Sequence, residues 1–305
     1  MNAADQAVIG VDIGGTTILA AAVLPDGTAS RHHTVPTPRT GGGDEVWEGV
    51  ASAIDAALED TSGAARGIGI ASAGPLDRDQ GTVSPVNIPA WRDYPLLKRA
   101  RERYPGVAVA FDGDGLCMAL GEHRYGAGRG SSATLGIVVS TGVGGGVVLD
   151  GRLYRGPSGN AGHIGHAIAE PDGEQCPCGS RGCVEVVASG PSMVRWALEH
   201  GWSAPGPNPD ARALAESARA GGTVALRAFE RSGRALGIAI VNAAALTDLD
   251  RVVVGGGVAQ SGRLIFDPIR STVAEYASMD FLRRLEVRAS TLGQLAGLLG
   301  ASELV

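Results

Sequence analysis

The sequence predicts an α/β protein made of two lobes. Three observations lead there. Apolar β-branched runs alternate with amphipathic helical stretches along the whole chain. Two of those runs, residues 8–11 and 133–139, stop at glycine-rich turns and then resume, so one design occurs twice. At 305 residues the chain is long enough for two domains of ordinary size with a substantial core. The expected division is residues 1–115 with 290–305 in an N-terminal lobe and 116–289 in a C-terminal lobe.

Composition narrows the partners. A net charge of -6, a pI near 5.5 and the lack of any Lys or Arg run exclude a nucleic-acid surface. The 47 glycines cluster at the ends of apolar runs, where turns approach a ligand, and do not form low-complexity tracts. The start, MNAADQAVIGVDIGG, lacks a basic region followed by an apolar one, and no stretch is apolar for long enough to span a bilayer. A cytoplasmic protein with no membrane partner is expected.

In chain order, residues 8–11 form a strand that runs into Asp12, Gly14, Gly15, Thr16 and Thr17, and residues 18–24 form the return strand before a Pro-Asp-Gly turn. Backbone N–H groups of such a glycine turn can meet phosphate oxygens, with Thr hydroxyls as further donors, and the alternative is a plain hairpin. Residues 44–60 place Val46, Trp47, Val50, Ile54, Ala57 and Leu58 near helical spacing, so this stretch is an amphipathic helix. Residues 67–71 are a buried strand. The non-helical stretch 84–91 offers Asn87, whose amide both donates and accepts; the alternative is that it braces a Pro-rich loop. A short polar helix at 95–104 and a strand at 107–111 lead to Asp112-Gly113-Asp114-Gly115, directly before a helical run at 116–125. A carboxylate at a strand end, as Asp114 is, could accept a hydroxyl proton, and the other role open to it is helix N-cap.

The strand at 133–139 breaks at residues 140–146 (STGVGGG) and resumes at 147–149, a second hairpin of the same design. Two such turns together point to duplicated lobes gripping one nucleotide. A helix follows 188–190, a Pro-rich surface loop spans 201–209, and helices are expected at 211–220 and 224–246, the second long, Ala-rich and suited to a core between lobes. The strand at 251–254 enters Gly255, Gly256 and Gly257, a third glycine turn able to lie flat beneath a base.

Residues 162–185, GHIGHAIAEPDGEQCPCGSRGCVE, concentrate Cys176, Cys178, Cys183, His163, His166 and Glu185. Three thiolates that converge, with His166 as a neutral fourth ligand, describe a closed tetrahedral Zn2+ site of the structural kind. The alternatives are a disulfide or free thiols. Cys117 lies in an apolar run and reads as core.

The pattern GHxxxxxxxxxCxCGxxGCxE resembles the zinc-binding segment of the ROK family of bacterial sugar kinases and sugar-responsive repressors. The longer AGHIGH…CxCGxRGCVE…ASG is most similar to the N-acetylmannosamine kinases within that family. DIGGT resembles the first phosphate turn of the actin-like ATPases, and Asp114 matches the aspartate of the family motif Asn-Asp-x-x-x-x-Ala-x-x-Glu, which implies that Asp114 is the catalytic base. The likeness continues through VVVGGGVAQSG and a closing helix at 292–303, which in the family returns to the first lobe. It implies a two-lobed actin-like ATPase (ribonuclease H-like) fold with a structural zinc site. It also implies an ATP-dependent kinase acting on a sugar 6-hydroxyl, with N-acetylmannosamine preferred over glucose because GHIGH puts His163 where the family's glucokinases have Glu. The roles implied are Asp12 near Mg2+; Gly14, Gly15, Thr16, Thr17, Thr141 and Gly142 at the phosphates of ATP; Gly256 and Gly257 at the adenosine; and Gly74, Asn87, Asp114, His163, His166 and Glu185 at the sugar. Family members are commonly homodimers, so a homodimer is expected. Gly113 departs from the family, which usually has Asn there touching the sugar. The competing reading is a sugar-sensing regulator; such repressors carry an additional N-terminal helix-turn-helix, for which a first strand beginning at Val8 leaves no room.

Overall fold

The computed structural model of the chain describes residues 7–61 and 64–305. Residues 1–6, where no leader is read from the sequence, lie outside the described residues. The chain divides into two compact units, the first formed by Met1–Arg129 with Gln294–Val305 and the second by Gly130–Gly293.

In the first unit, strands β1 (Val8–Ile13), β2 (Thr17–Val23), β3 (His33–Pro36), β4 (Gly67–Ser72) and β7 (Ala108–Gly113) form one sheet in the order β3-β2-β1-β4-β7. β1 pairs antiparallel with β2 and parallel with β4, while β4 pairs parallel with β7. β1 and β4 are the middle strands, and their residues are almost all buried, as parallel strands covered on both faces require. Helix α1 (Gly43–Glu59) lays Val46, Trp47, Val50, Ile54 and Ala57 against that core. Its first turn is tied down by Glu45, whose carboxylate accepts the Gly42 N–H at 2.8 Å. A two-stranded hairpin, β5 (Leu76–Asp77) with β6 (Thr82–Val83), and helix α2 (Leu96–Arg103) precede β7.

The second unit repeats the plan. Strands β8 (Ala133–Val139), β9 (Val143–Leu149), β10 (Arg152–Tyr154), β11 (Arg251–Gly255) and β12 (Glu286–Ala289) run in the order β10-β9-β8-β11-β12. Antiparallel β8/β9 and parallel β8/β11 match the pairing of the first unit. Helices α4 (Val184–Ala188), α5 (Gly190–Glu199), α6 (Ala211–Arg219), α7 (Thr223–Thr247) and α8 (Arg263–Tyr276) complete it. The long α7 contributes Phe229, Leu236 and Ile240 to this unit's own core.

The observed division falls later than residues 115 and 290 because helix α3 (Asp114–Tyr125) packs against the closing helix α9 (Leu295–Ser302). Glycines make that packing a backbone contact. A Cβ at Gly121 would run into Ala296 O, one at Gly300 into Cys117 O, and those at Gly10 and Gly69 of the sheet into Leu298 O and Ala301 O. Cys117 is fully buried beside Ala71 and Ala301, as a core residue should be.

Candidate active site

The residues singled out in the sequence fall into two groups, one on each unit. On the first unit, Asp12 lies near the end of β1 and its carboxylate rests against Gly297, where a Cβ would sit only 2.5 Å from Oδ2. The next turn is held by Gly14 N–H donating to Thr17 O at 2.9 Å and by Thr37 Oγ1 donating to Gly14 O at 2.7 Å. Thr16 is exposed at its tip. The Asn87 amide packs over Gly15, leaving a Cβ there 2.8 Å from its side-chain atoms, so glycine at this position is demanded by Asn87 and not by the backbone angle. Gly74 lies in the loop between β4 and β5, with space around it.

Asp114 opens α3, and Gly113 is the N-cap, so the N-cap role is not the one Asp114 fills. Its Oδ1 accepts the Gly115 N–H at 2.7 Å. The residue keeps solvent access, yet the protein packed around the carboxylate desolvates it and raises its pKa. Asp12 is pushed further, to about 7, first by burial and then by the nearby charge of Asp114. The charge of Asp114 thus opposes the ionisation of Asp12.

On the second unit the glycine break is shorter than residues 140–146. β9 already starts at Val143, and Gly145 pairs with Ile137 inside it. Gly145 is glycine for packing: a Cβ would lie 2.7 Å from Gly136 O and 2.9 Å from Gly162 O, at the start of the Cys/His segment. The turn proper is closed by Ser140 N–H donating to Gly142 O at 2.9 Å. Glu185, on α4, reaches this turn, and its Oε2 accepts the Val143 N–H at 2.8 Å, so part of that carboxylate is engaged by main chain. Gly142 makes room for it, since a Cβ would be 2.7 Å from the same oxygen.

His163 precedes the short 3-10 turn Ile164–His166 and stacks on His166 with ring centroids 5.4 Å apart. Desolvation and then the neighbouring His166 push its pKa below the usual imidazole value, so the ring is neutral at neutral pH. His166 turns Nδ1 toward Cys176 Sγ at 3.8 Å, and Cys178 Sγ lies 3.7 Å from Cys183 Sγ. All four ligand atoms lie within 4.8 Å of one another. With Zn–S of about 2.3 Å and Zn–N of about 2.1 Å, a tetrahedron has S–S edges of about 3.8 Å and S–N edges of about 3.6 Å. The donor set therefore fits Zn2+ in both chemistry and spacing, and all four cysteines of the chain are free thiols.

Gly256 takes φ +90 and packs on the end of β8, where a side chain would meet Val139 O; Gly257 lies beside Ser140. Next to them is a cavity of about 1030 Å³, lined by Ser140, Thr141, Gly190, Asn208, Arg212 and Gly257 among others. The sequence reading located its glycine wall and missed the wall from α5, the 201–209 loop and α6. The one local signal there is Asp210, which caps α6 by accepting the Ala213 N–H at 2.9 Å.

The model of the ROK family matches residues 8–305. The chain belongs to the ROK family. Its ROK relatives include the glucokinase of Thermotoga maritima, 35% identical with 98% of this chain and 96% of that protein covered. The N-acetylmannosamine kinase of Haemophilus influenzae is 32% identical, with 96% and 93% covered. Among solved structures, a ROK family glucokinase from Streptomyces griseus in complex with glucose and AMPPNP superposes with a TM-score of 0.83 at 34% identity, covering 98% of this chain and 99% of that one. The ROK fold is thus that of the whole described chain. Among the described residues no helix is long and apolar enough to cross a membrane.

Proposed function

We propose that this ROK-family sugar kinase transfers the γ-phosphoryl group of MgATP to the 6-hydroxyl of N-acetylmannosamine, giving N-acetylmannosamine 6-phosphate. The observation that carries the reading is the Asp114 carboxylate, held by the Gly115 N–H at the head of α3 and raised in pKa by desolvation. A raised pKa brings a carboxylate nearer the operating pH, where a general base is most effective. Phosphoryl transfer otherwise asks chiefly for positioning and charge stabilisation, and glycine turns that let main chain approach a ligand closely suit both.

In this reading Asp114 takes the hydroxyl proton as the oxygen attacks the γ-phosphorus. Main chain at Gly14, Gly15, Thr16 and Thr17, and at Thr141 and Gly142, meets the phosphates, while Gly256 and Gly257 border the adenosine. Asp12 would hold Mg2+, whose charge offsets that of the phosphates and relieves the Asp12–Asp114 repulsion. Gly74 and Asn87, in the first unit, and His163, His166 and Glu185, in the second, are the residues assigned to the sugar. Glu185 spends Oε2 on Val143 and keeps Oε1 for a sugar hydroxyl. His163, neutral, accepts at one nitrogen and donates at the other. His166, Cys176, Cys178 and Cys183 would hold zinc, which anchors the segment next to His163 and Glu185 and performs no chemistry.

His163 in GHIGH supports N-acetylmannosamine. A second reading, glucose, is supported by 35% identity to a glucokinase. ADP release measured with N-acetylmannosamine, glucose, mannose and N-acetylglucosamine decides: no sugar-stimulated turnover sinks the kinase, and a preference for glucose sinks the first substrate. A cytoplasmic homodimer belongs to the same reading, and light scattering at twice the 30.9 kDa chain mass checks it.

A further inference from the structure

Beyond its cysteines and His166, the Cys/His segment is held on both flanks by consecutive residues of α7. Ahead of the cysteines, Arg231 donates to Glu170 Oε2 at 2.7 Å; after them, Ser232 Oγ donates to Val187 O at 3.1 Å. Ser232 is buried, and the carbonyl it meets ends the five-residue helix α4. That carbonyl needs an outside partner, because the residue four positions on is Pro191, which has no N–H. The half-buried Arg231 guanidinium also lies 5.7 Å from the centroid of the Trp196 ring, so a carboxylate and an indole together fix where it sits.

Glu170 carries that position into the cysteines. Its N–H donates to Gly182 O at 3.1 Å, and its carbonyl accepts the Gly173 N–H at 2.8 Å. Gly182, at φ +62, comes so close to the same carbonyl that a Cβ on it would collide with the oxygen. Cys183 follows Gly182 directly, and Val184 donates to Ala167 O, next to His166, at 2.9 Å. Moving Glu170 therefore moves the backbone that leads to Cys183, while Glu185 lies between that point and the Ser232 tether at Val187. A half-buried ion pair adds little net stability. What it supplies is register, since a directional bond holds one arrangement of segment against helix where a non-directional apolar contact would let them slide.

We propose that Arg231 and Ser232 are positioning residues for the transfer reaction: α7 sets both flanks of the Cys/His segment, so that His163 and Glu185 meet the sugar in a fixed geometry. The inference rests on the kinase reading above. It adds two residues outside the metal cluster and outside the groups assigned to the sugar.

The test compares wild type with Arg231→Met, which keeps bulk near Trp196 and removes the charge, Arg231→Lys, which keeps the charge, Ser232→Ala and Glu170→Gln. Values of kcat and KM are taken for ATP and for whichever of N-acetylmannosamine and glucose wild type turns over faster. Hydrogen exchange is followed at the Gly182 and Val184 amides, with β8 as the reference. The sugar KM should rise about tenfold in Arg231→Met and in Ser232→Ala. KM for ATP and kcat at saturating sugar should stay within about twofold of wild type. Exchange at the two amides should quicken while β8 is unchanged, Arg231→Lys should recover part of the loss, and Glu170→Gln combined with Arg231→Met should be no worse than either alone. A purely structural role would shrink the active fraction, lowering kcat at constant KM, and that result overturns the proposal. So does a sugar KM unchanged within about twofold in both Arg231→Met and Ser232→Ala. Should Arg231→Met not fold, Glu170→Gln carries the same expectation. If wild type turns over no sugar, the kinase reading has failed; exchange unchanged in the variants then overturns the hold of α7 on the segment as well, and faster exchange upholds it.

Discussion

Cys178 is the most direct probe of the metal centre because it is the exposed member of the cluster. Cys176 and Cys183 are buried in the core of the second unit, so changing either would confound loss of a ligand with loss of packing. Cys178→Ser removes one thiolate and opens no cavity. The observed ligand separations of 3.7 and 3.8 Å mean that the site binds with little rearrangement. Structural zinc in four-ligand sites is worth about 10–16 kcal/mol, so one ligand of four accounts for about 3 kcal/mol, or about two orders of magnitude in affinity. The protein purified without added metal should carry one zinc per chain by elemental analysis. A chromophoric chelator should strip it from Cys178→Ser about a hundredfold more readily than from wild type. Cys117→Ala, which removes a thiol outside the cluster, should retain the metal like wild type. Because Cys183 leads directly into α4 and Glu185, the stripped protein should also lose sugar turnover. A wild type with no bound metal, or equal zinc retention in wild type and Cys178→Ser, would refute the reasoning.

The same site residues make predictions about pH and packing. Burial pushes the Asp12 pKa up to about 7 in the folded chain, against about 3.9 for an exposed carboxylate, so the folded state binds more protons between those values and stability falls as pH rises through that window. Asp12→Asn should therefore raise the urea midpoint more at pH 8 than at pH 4 in Mg2+-free buffer; an equal shift at both would show that the carboxylate is not strained. Gly300→Ala pushes a methyl into Cys117 O and should lower stability by about 1–3 kcal/mol in thermal unfolding, whereas Gly206→Ala, with nothing nearby, should change it little; equal effects would contradict the backbone contact between α3 and α9.

Much of this molecule could be read from residues alone, and the exceptions have physical causes. The β1–β2 hairpin and α1 were legible because burial writes a period into the sequence: alternation or near-continuous apolarity in the strands and a single stripe in the helix. β9 lost its pattern at Gly144–Gly146, where at Gly145 the need to pack against Gly136 and Gly162 replaces a side chain by hydrogen. β3, β10 and β12 lie at the sheet edges, half exposed, and carry no apolar run to find. α8 contains Pro268, which breaks a helical pattern, and α7 accommodates it through Gly233, where a Cβ would lie 2.5 Å from the proline ring. The Cys/His cluster was legible because its ligands are close in sequence. The grip of Glu185 on Val143 and the Arg78–Asp112 pair were not, since each joins segments far apart in the chain and leaves no local signature.

Steady-state turnover of Asp114→Asn bears most directly on the central claim. The substitution keeps the shape of the side chain and removes its ability to accept a proton. With its fold verified and nucleotide and sugar binding retained by calorimetry, the variant should lose kcat by about 10²–10⁴. Sugar phosphorylation continuing at the wild-type rate would contradict the assignment of the base and the mechanism built on it.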